Sequence, residues 1–520
     1  MLTPWAPGPS TRNGSASVPA PHRKKGSGFR SAGGLTTLRG VTDLAHDTRV
    51  HAFADDALGD GDATELAERL ATGDVAVVEV VEAAIARLES VNPRLNALAF
   101  PDFDRARSRA AALHRPRGAF GGVPTLTKDN IHVAGMPMTM GSLALPRDPV
   151  PVSGGFTRQF LDTGVIPIGS TTMPEFGWTA TTERVGGDVT RNPWHTGYSA
   201  GGSSGGSAAF VAAGVVPIAH GNDGGGSIRI PAAACGLVGL KASRGRLLPD
   251  ESERSMPVRV VTDGVLARSV RDVARFFEAA ELTYRNPRLL PVGRVDGPPA
   301  RRLRIGMAVD SPAAPRSDAE TRAAVEATGA LLESLGHEVV PDYPPPMPRA
   351  FKEDFEDYWA MLAFGIATRG RRLFGDGFDK DALDPLTLGL ARRFRRRAAR
   401  APLVIARLAA SGARYDRMFG DADLVLTPVL THTTPPIGHL GADLTFDEHF
   451  GRLVDYAGFT PLHNASGAPS LSLPLGETSS GMPLGVLFSA RLGGERRLLE
   501  LAFELEAAHP FRRIQDRPVG

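Results

Sequence analysis

A single cysteine, Cys235, stands in a chain of 520 residues. It excludes an internal disulfide framework and any metal site built on clustered cysteines. Its setting among Ala and Gly reads as a small buried hydrophobe rather than a nucleophile. Charge of one sign is also missing: 59 Lys and Arg against 57 Asp and Glu leave +2. No general affinity for polyanions follows, and no nucleic-acid partner is expected. No apolar run approaches the length of a membrane span, so no membrane partner is expected. The N-terminus lacks the continuous apolar stretch of a secretory signal, which makes the cytoplasm the expected location. No internal repeat is found.

What is present reads as a globular enzyme: 42% hydrophobic and 22% charged residues. Residues 1 to about 45 are rich in Pro, Gly, Ser and Thr, with a basic knot at His22, Arg23, Lys24 and Lys25. Such a segment buries too little apolar surface to offset its ordering entropy. Residues 1–50 are therefore expected to be a disordered tail, or translation from an over-extended start. Residues 51–520 are expected to form one domain, with ordered structure beginning near Asp62.

Periodicity predicts helices over 63–70 and 75–91, the second ended by Asn92 and Pro93, then a strand over 95–100 and a helix over 105–113. A buried strand over 123–127 ends at Lys128, and another covers 165–169. The stretch 171–178 is expected to run from loop into helix. In the second half strands are expected over 303–309, 337–340, 424–428, 470–475 and 483–488. Helices are expected from the Ser269 cap, over 318–335 with Gly336 as the stop, and over 496–508. This alternation implies α/β architecture, a large sheet covered by helices on both faces. Residues 342–420 differ, being helical and rich in Arg, Phe and Leu. They are expected to form an insertion near the substrate site. Its charge run (Arg392, Arg393, Arg395, Arg396, Arg397, Arg400) reads as a solvated helix face balanced by Asp376, Asp379, Asp381 and Asp384.

Two glycine loops stand out. Gly201, Gly202, Ser203, Ser204, Gly205 and Gly206 precede an apolar run over 208–219, and Asp223, Gly224, Gly225, Gly226 and Ser227 follow it. Such clusters suit a backbone that must approach a reacting atom and aim N–H groups at it. A helix over about 207–213 and a strand over 215–220 would return Ser227 to the end of the sheet where Ser203 lies. Serine needs a base. Lys128, at a strand end before Asp129 and Asn130, can serve if burial depresses its pKa. The alternative for Lys128 is a salt bridge to Asp129. The loops contain neither G-x-x-x-x-G-K-[ST] nor G-x-G-x-x-G, which disfavours nucleotide binding. Gly201 to Gly205 formally matches G-x-S-x-G, but that elbow needs a strand immediately before it, and residues 192–197 read as loop.

The block from Gly201 to Ser207, Asp223 to Ala232 and Cys235 to Lys241, with Lys128, Asp129 and Asn130 upstream, resembles the amidase signature family. The likeness extends from about Asp62 to about Phe511 and includes Asn464 to Pro469 and Gly481 to Gly485. It implies a Ser–cisSer–Lys triad: Ser227 as nucleophile, Ser203 as the bridging serine preceded by a cis peptide bond, and Lys128 as base. It also implies amide hydrolysis through an acyl-enzyme, with the N–H groups of Gly224, Gly225, Gly226 and Ser227 as oxyanion hole. Asp223 and Arg229 would brace the loop. No cofactor or metal is expected, and the partner is a small-molecule amide. A homodimer is one option for the assembly. Ala200, Asn222 and Ala242 depart from the commoner family residues Pro, Thr and Pro, and none is expected to touch the triad. Loops at His220 to Asp223 and Asn192 to Trp194 resemble the 6-aminohexanoate-cyclic-dimer hydrolase type. The alternatives are an amidotransferase-type subunit supplying ammonia within a complex, and a non-catalytic partner subunit. The first lacks its serine-rich segment after Arg246; the second is disfavoured by intact Lys128, Ser203 and Ser227.

Overall fold

A computed structural model describes residues 48–186, 188–348 and 350–516. The expected tail falls mostly on residues 1–47, outside that set. Residues 48–61 already lie against the body, so ordered structure starts earlier than Asp62. Val50 and Leu58 are buried, Val50 N–H donates to Pro193 O at 2.8 Å, and Ala52 N–H donates to Ala213 O at 2.8 Å.

The described residues form an α/β fold of three sheets. The first holds β1 (Leu98–Pro101), β2 (Pro124–Lys128) and β3 (Ile166–Thr171), in the order β1-β3-β2. A small antiparallel ribbon pairs β4 (Arg191–Asn192) with β5 (His195–Ser199). The large mixed sheet holds β6 (Ile218–Asp223), β7 (Val238–Lys241), β8 (Thr262–Ala267), β9 (Arg304–Met307), β10 (Glu338–Val340), β11 (Leu424–Pro428), β12 (Ser470–Glu477) and β13 (Pro483–Ser489). Its order is β10-β9-β11-β13-β12-β7-β8-β6. β9 pairs in parallel with β10 and β11, and the other pairings are antiparallel.

The edges β2 and β6 meet through side chains. Thr125 Oγ1 donates to Ile218 O at 2.8 Å, and Lys128 N–H donates to His220 Nδ1 at 3.1 Å. This contact joins the lysine strand to the strand that carries the second glycine loop. The helix Gly205–Ala212 is buried on every side and lies against both strands, as an all-apolar helix must.

Several elements depart from the periodicity. The helix Val77–Leu95 runs through Pro93 instead of ending before it. It stops at Asn96, whose backbone is left-handed (φ 51°), while Asn92 Oδ1 takes the N–H groups of Ala97 and Leu98. The strand after the glycine helix is Ile218–Asp223, three residues later than its pattern suggests, because cross-strand pairing with β8 holds it through Asp223. Residues 171–178 give only the 3-10 turn Glu175–Gly177. Ser269 does cap its helix, accepting from Asp272 N–H.

Between β10 and β11 lie the helices Phe351–Phe374, Pro385–Arg397, Ala401–Ala409 and Ser411–Met418. The arginine run is not balanced by the neighbouring aspartates. Arg393 bonds Glu356 at 2.7 Å, Arg397 bonds Asp357 at 2.6 Å and Arg400 bonds Glu353 at 2.6 Å, all on the helix Phe351–Phe374. These pairs zip two helices together.

Candidate active site

Lys128 ends β2 with its amine fully buried. Its Nζ lies 2.7 Å from Ser203 Oγ and 3.3 Å from Asn222 O. It makes no bridge to Asp129. That carboxylate turns away and accepts from Thr139 N–H at 2.8 Å and from Thr139 Oγ1. Burial pushes the Lys128 amine down to about 7, against the pull of Asp223 and Asp263. Desolvation thus leaves a base that is neutral close to physiological pH.

Ser203 follows a cis peptide bond from Gly202 and precedes the helix Gly205–Ala212. The segment before it, β5, is a strand, contrary to the loop read from 192–197. It belongs to the small ribbon, outside the large sheet. Opposite Ser203 stands Gly177, with φ at +72°; a Cβ there would lie 2.9 Å from Ser203 Oγ. Only glycine permits that backbone so close to the hydroxyl.

Ser227 sits between β6 and the helix Arg229–Cys235. Its carbonyl accepts from Ser204 N–H at 3.3 Å, which ties the two serine segments together. Among the described residues Ser227 Oγ makes no hydrogen bond. The expected oxyanion donors divide. Gly226 N–H is already spent on Asp223 Oδ1 at 2.8 Å, because that carboxylate reaches back to hold the loop. The N–H groups of Gly224, Gly225 and Ser227 have no acceptor among the described residues.

Asp223 and Arg229 brace this loop in a buried ion pair: Arg229 Nη2 to Asp223 Oδ1 at 2.7 Å and Nε to Oδ2 at 2.9 Å. Burial opposes ionisation of Asp223, but Arg229 outweighs it and holds the carboxyl well below the usual range. Asn464 Nδ2 donates to Asp223 O at 2.9 Å and Oδ1 at 2.8 Å, and Thr460 Oγ1 donates to Gly225 O at 2.6 Å. A Cβ on Gly226, at φ +141°, would fall 2.4 Å from Thr460 Oγ1.

Pattern reading missed several residues here. Asn222 was not expected to touch the lysine, yet its carbonyl accepts from Lys128 Nζ. His220 enters the sequence reading only as part of a family-like loop, and Asp263 and Thr460 not at all. A histidine inside an apolar strand, and an aspartate inside the fully buried β8, were the signals available. Phe355 lies beside Gly225, its ring 3.8 Å from where a Cβ on that glycine would be. Trp359, one turn further on, has its ring 6.5 Å from that of Trp178 and 5.7 Å from that of Phe450. Among the described residues no cluster of His, Cys, Asp and Glu could hold a metal ion, and no helix is long and apolar enough to cross a membrane.

Comparison with known proteins bears on the family. The family model described as Amidase matches residues 79–499. The chain is 49% identical over 467 residues to AmiC of Mycobacterium tuberculosis, covering 90% of this chain and 98% of that protein. It is 34% identical over 473 residues to the 6-aminohexanoate-cyclic-dimer hydrolase of Paenarthrobacter ureafaciens, covering 86% and 95%. A solved structure of 6-aminohexanoate cyclic dimer hydrolase superimposes with a TM-score of 0.78 at 32% identity, covering 89% of this chain and 99% of that one.

Proposed function

The chain belongs to the amidase family of amide-hydrolysing enzymes, and on that premise we propose that Ser227, Ser203 and Lys128 carry the reaction as nucleophile, bridge and base. The observation that carries this reading is the 2.7 Å contact between Lys128 Nζ and Ser203 Oγ in a fully buried setting. Neutral Lys128 takes the proton of Ser203 as Ser203 takes that of Ser227. Ser227 Oγ attacks the amide carbonyl, and the free N–H groups of Gly224, Gly225 and Ser227 receive the oxyanion. Return of the proton through Ser203 expels the amine and leaves an acyl group on Ser227. Water, activated by the same relay, then releases the acid.

The surroundings support a substrate with a neutral, apolar substituent. Phe355, beside Gly225, is only half-buried, as are Trp359 and Trp178, the exposure expected of cleft-lining aromatics. His449 nearby is bonded to Thr179 and held neutral, its pKa lowered to about 4 by burial and Arg452. We therefore expect aryl and cyclic amides to be better substrates than small charged ones.

Labelling with a fluorophosphonate probe and peptide mapping tests the assignment. The label should fall on Ser227, and Ser227→Ala should lose on the order of 10⁴–10⁶-fold in kcat. A label on Ser203, or a Ser227→Ala enzyme that still hydrolyses amides, sinks it.

A further inference from the structure

One carboxyl pair outside the proposed triad grips Lys128 from two directions. Asp263, on β8, stands opposite Asn222 in the β6–β8 register. Its Oδ1 accepts from Asn222 Nδ2 at 2.8 Å and lies 3.0 Å from His220 Nε2. Both partners touch the lysine. His220 Nδ1 accepts the Lys128 backbone N–H, which fixes the imidazole tautomer with its proton on Nε2, aimed at Asp263. The Asn222 carbonyl accepts from Lys128 Nζ. Behind Asp263 the Glu253 carboxyl lines the same small cavity, and burial and the Asp263 charge raise its pKa well above the usual range. Glu253 is thereby favoured in its neutral form beside an ionised Asp263, so the two carboxyls carry one negative charge.

We propose that the Asp263–Glu253 pair is a positioning and charge-setting element for Lys128, holding the lysine backbone through His220 and its amine through Asn222. The inference rests on Lys128 being the base. The charged and titratable groups around that base come from several elements. Asp223 on β6 is neutralised by Arg229. His220, on the same strand, is neutral in the tautomer described. Asp250 lies just before the helix Glu251–Arg254, and its carboxylate takes Phe156 N–H at 3.2 Å. Lys241 is spent on Ala242 O at 2.7 Å. Arg244 and Arg259 line the same small cavity as Glu253 and Asp263, but Arg244 bonds carbonyls of Arg259, Asn464 and Ala465. Asp263 is therefore left with neutral partners. Its charge favours the protonated amine, opposing the desolvation that favours the neutral one.

Asparagine and glutamine are the informative replacements because they keep the hydrogen bonds. In Asp263→Asn alone, Glu253 can release its proton and restore the charge. In the double variant Asp263→Asn with Glu253→Gln no charge remains. The test is the pH profile of kcat/KM for a neutral aryl amide, with the full chain and each variant. The wild-type profile should fall on the acid side with a midpoint near 7. In the double variant that midpoint should move about one pH unit lower, and in the single variant by less. Asn222→Leu cuts one bridge without changing charge. It should lower kcat roughly tenfold with KM unchanged and the midpoint in place, and it serves if the double variant fails to fold. A folded double variant with the wild-type midpoint, or Asn222→Leu with wild-type kcat, overturns the proposal while leaving Lys128 as base. A wild-type profile with no limb near 7 overturns both.

Discussion

Burial decides the protonation of Lys128, and with it the direction of the pH dependence. The base proposed here works as the neutral amine, so kcat/KM should rise with pH through about 7 and level off above about 8. Replacing the lysine by arginine keeps the positive charge and some of the length, but a guanidinium cannot lose its proton in this range. Lys128→Arg should therefore lose about 10²–10⁴-fold in kcat and show no limb near 7 in a pH series. Recovery of more than a tenth of wild-type kcat at any pH between 6 and 9 would remove the lysine from the base role. Lys241 is pushed down to about 7 as well, by burial and the nearby Arg229. Its amine is bonded to Ala242 O, away from either serine, so its titration does not stand in for that of Lys128. At this scale Ser203, Ser227 and Lys128 are legible as candidates, because each closes or opens a distinctive motif. Asp263 is not. Its meaning comes from cross-strand register, and no spacing within the sequence joins it to Asn222 or His220.

The 3-10 turn Glu175–Gly177 connects the catalytic side of the body to the helices between β10 and β11. Glu175 is buried and accepts from Ser142 Oγ at 2.6 Å, from Asp384 N–H at 2.9 Å and from Thr387 Oγ1. Ser142 belongs to the loop after β2, and Asp384 immediately precedes the helix Pro385–Arg397. Burial, with Asp384 nearby, raises the Glu175 pKa. Gly177, two residues on, is the backbone pressed against Ser203. Glu175→Gln replaces one acceptor oxygen by an amide nitrogen; facing Ser142, it makes that hydroxyl turn to accept and leaves the hydroxyl proton without its present acceptor. The cost should be about 1–3 kcal/mol, read as a lower Tm. KM should rise, because the aromatic helices lose an anchor. An unchanged Tm would show that this carboxyl is not a fastener. The element boundaries show why sequence fell short here. The alternating pattern of β12 and β13 gives a hairpin directly, and Ser470 to Leu473 pair with Ser489 to Val486. The apolar run over 208–219 is continuous, so neither the end of its helix nor the start of β6 is marked by periodicity. The arginine run looked solvated because its acidic partners lie about forty residues back, on another helix.

Across the whole molecule, the Asp223–Arg229 pair is where the Ser227 loop is fastened to the C-terminal third of the chain. Arg229 Nη1 donates to Thr460 O at 2.8 Å, and Nη2 donates to Asn464 Oδ1 at 2.7 Å. Both residues of the pair are fully buried. Breaking such a pair leaves a charge without a partner, at a cost of about 3–5 kcal/mol. Arg229→Leu should therefore be strongly destabilised at pH 7 in urea unfolding. The gap from wild type should depend on pH. In the folded wild type Asp223 is held well below its unfolded value of about 3.9, so on acidification the unfolded chain binds the proton first. The stability this group supplies is present above about pH 4 and is lost as pH falls below it. Without Arg229, burial raises the carboxyl instead, and the variant has no such stability to lose. The difference in unfolding free energy between wild type and Arg229→Leu should shrink between pH 7 and pH 3. An equal difference at both pH values would mean that Arg229 acts by filling space and bonding carbonyls, with the charge of Asp223 of no consequence to the fold.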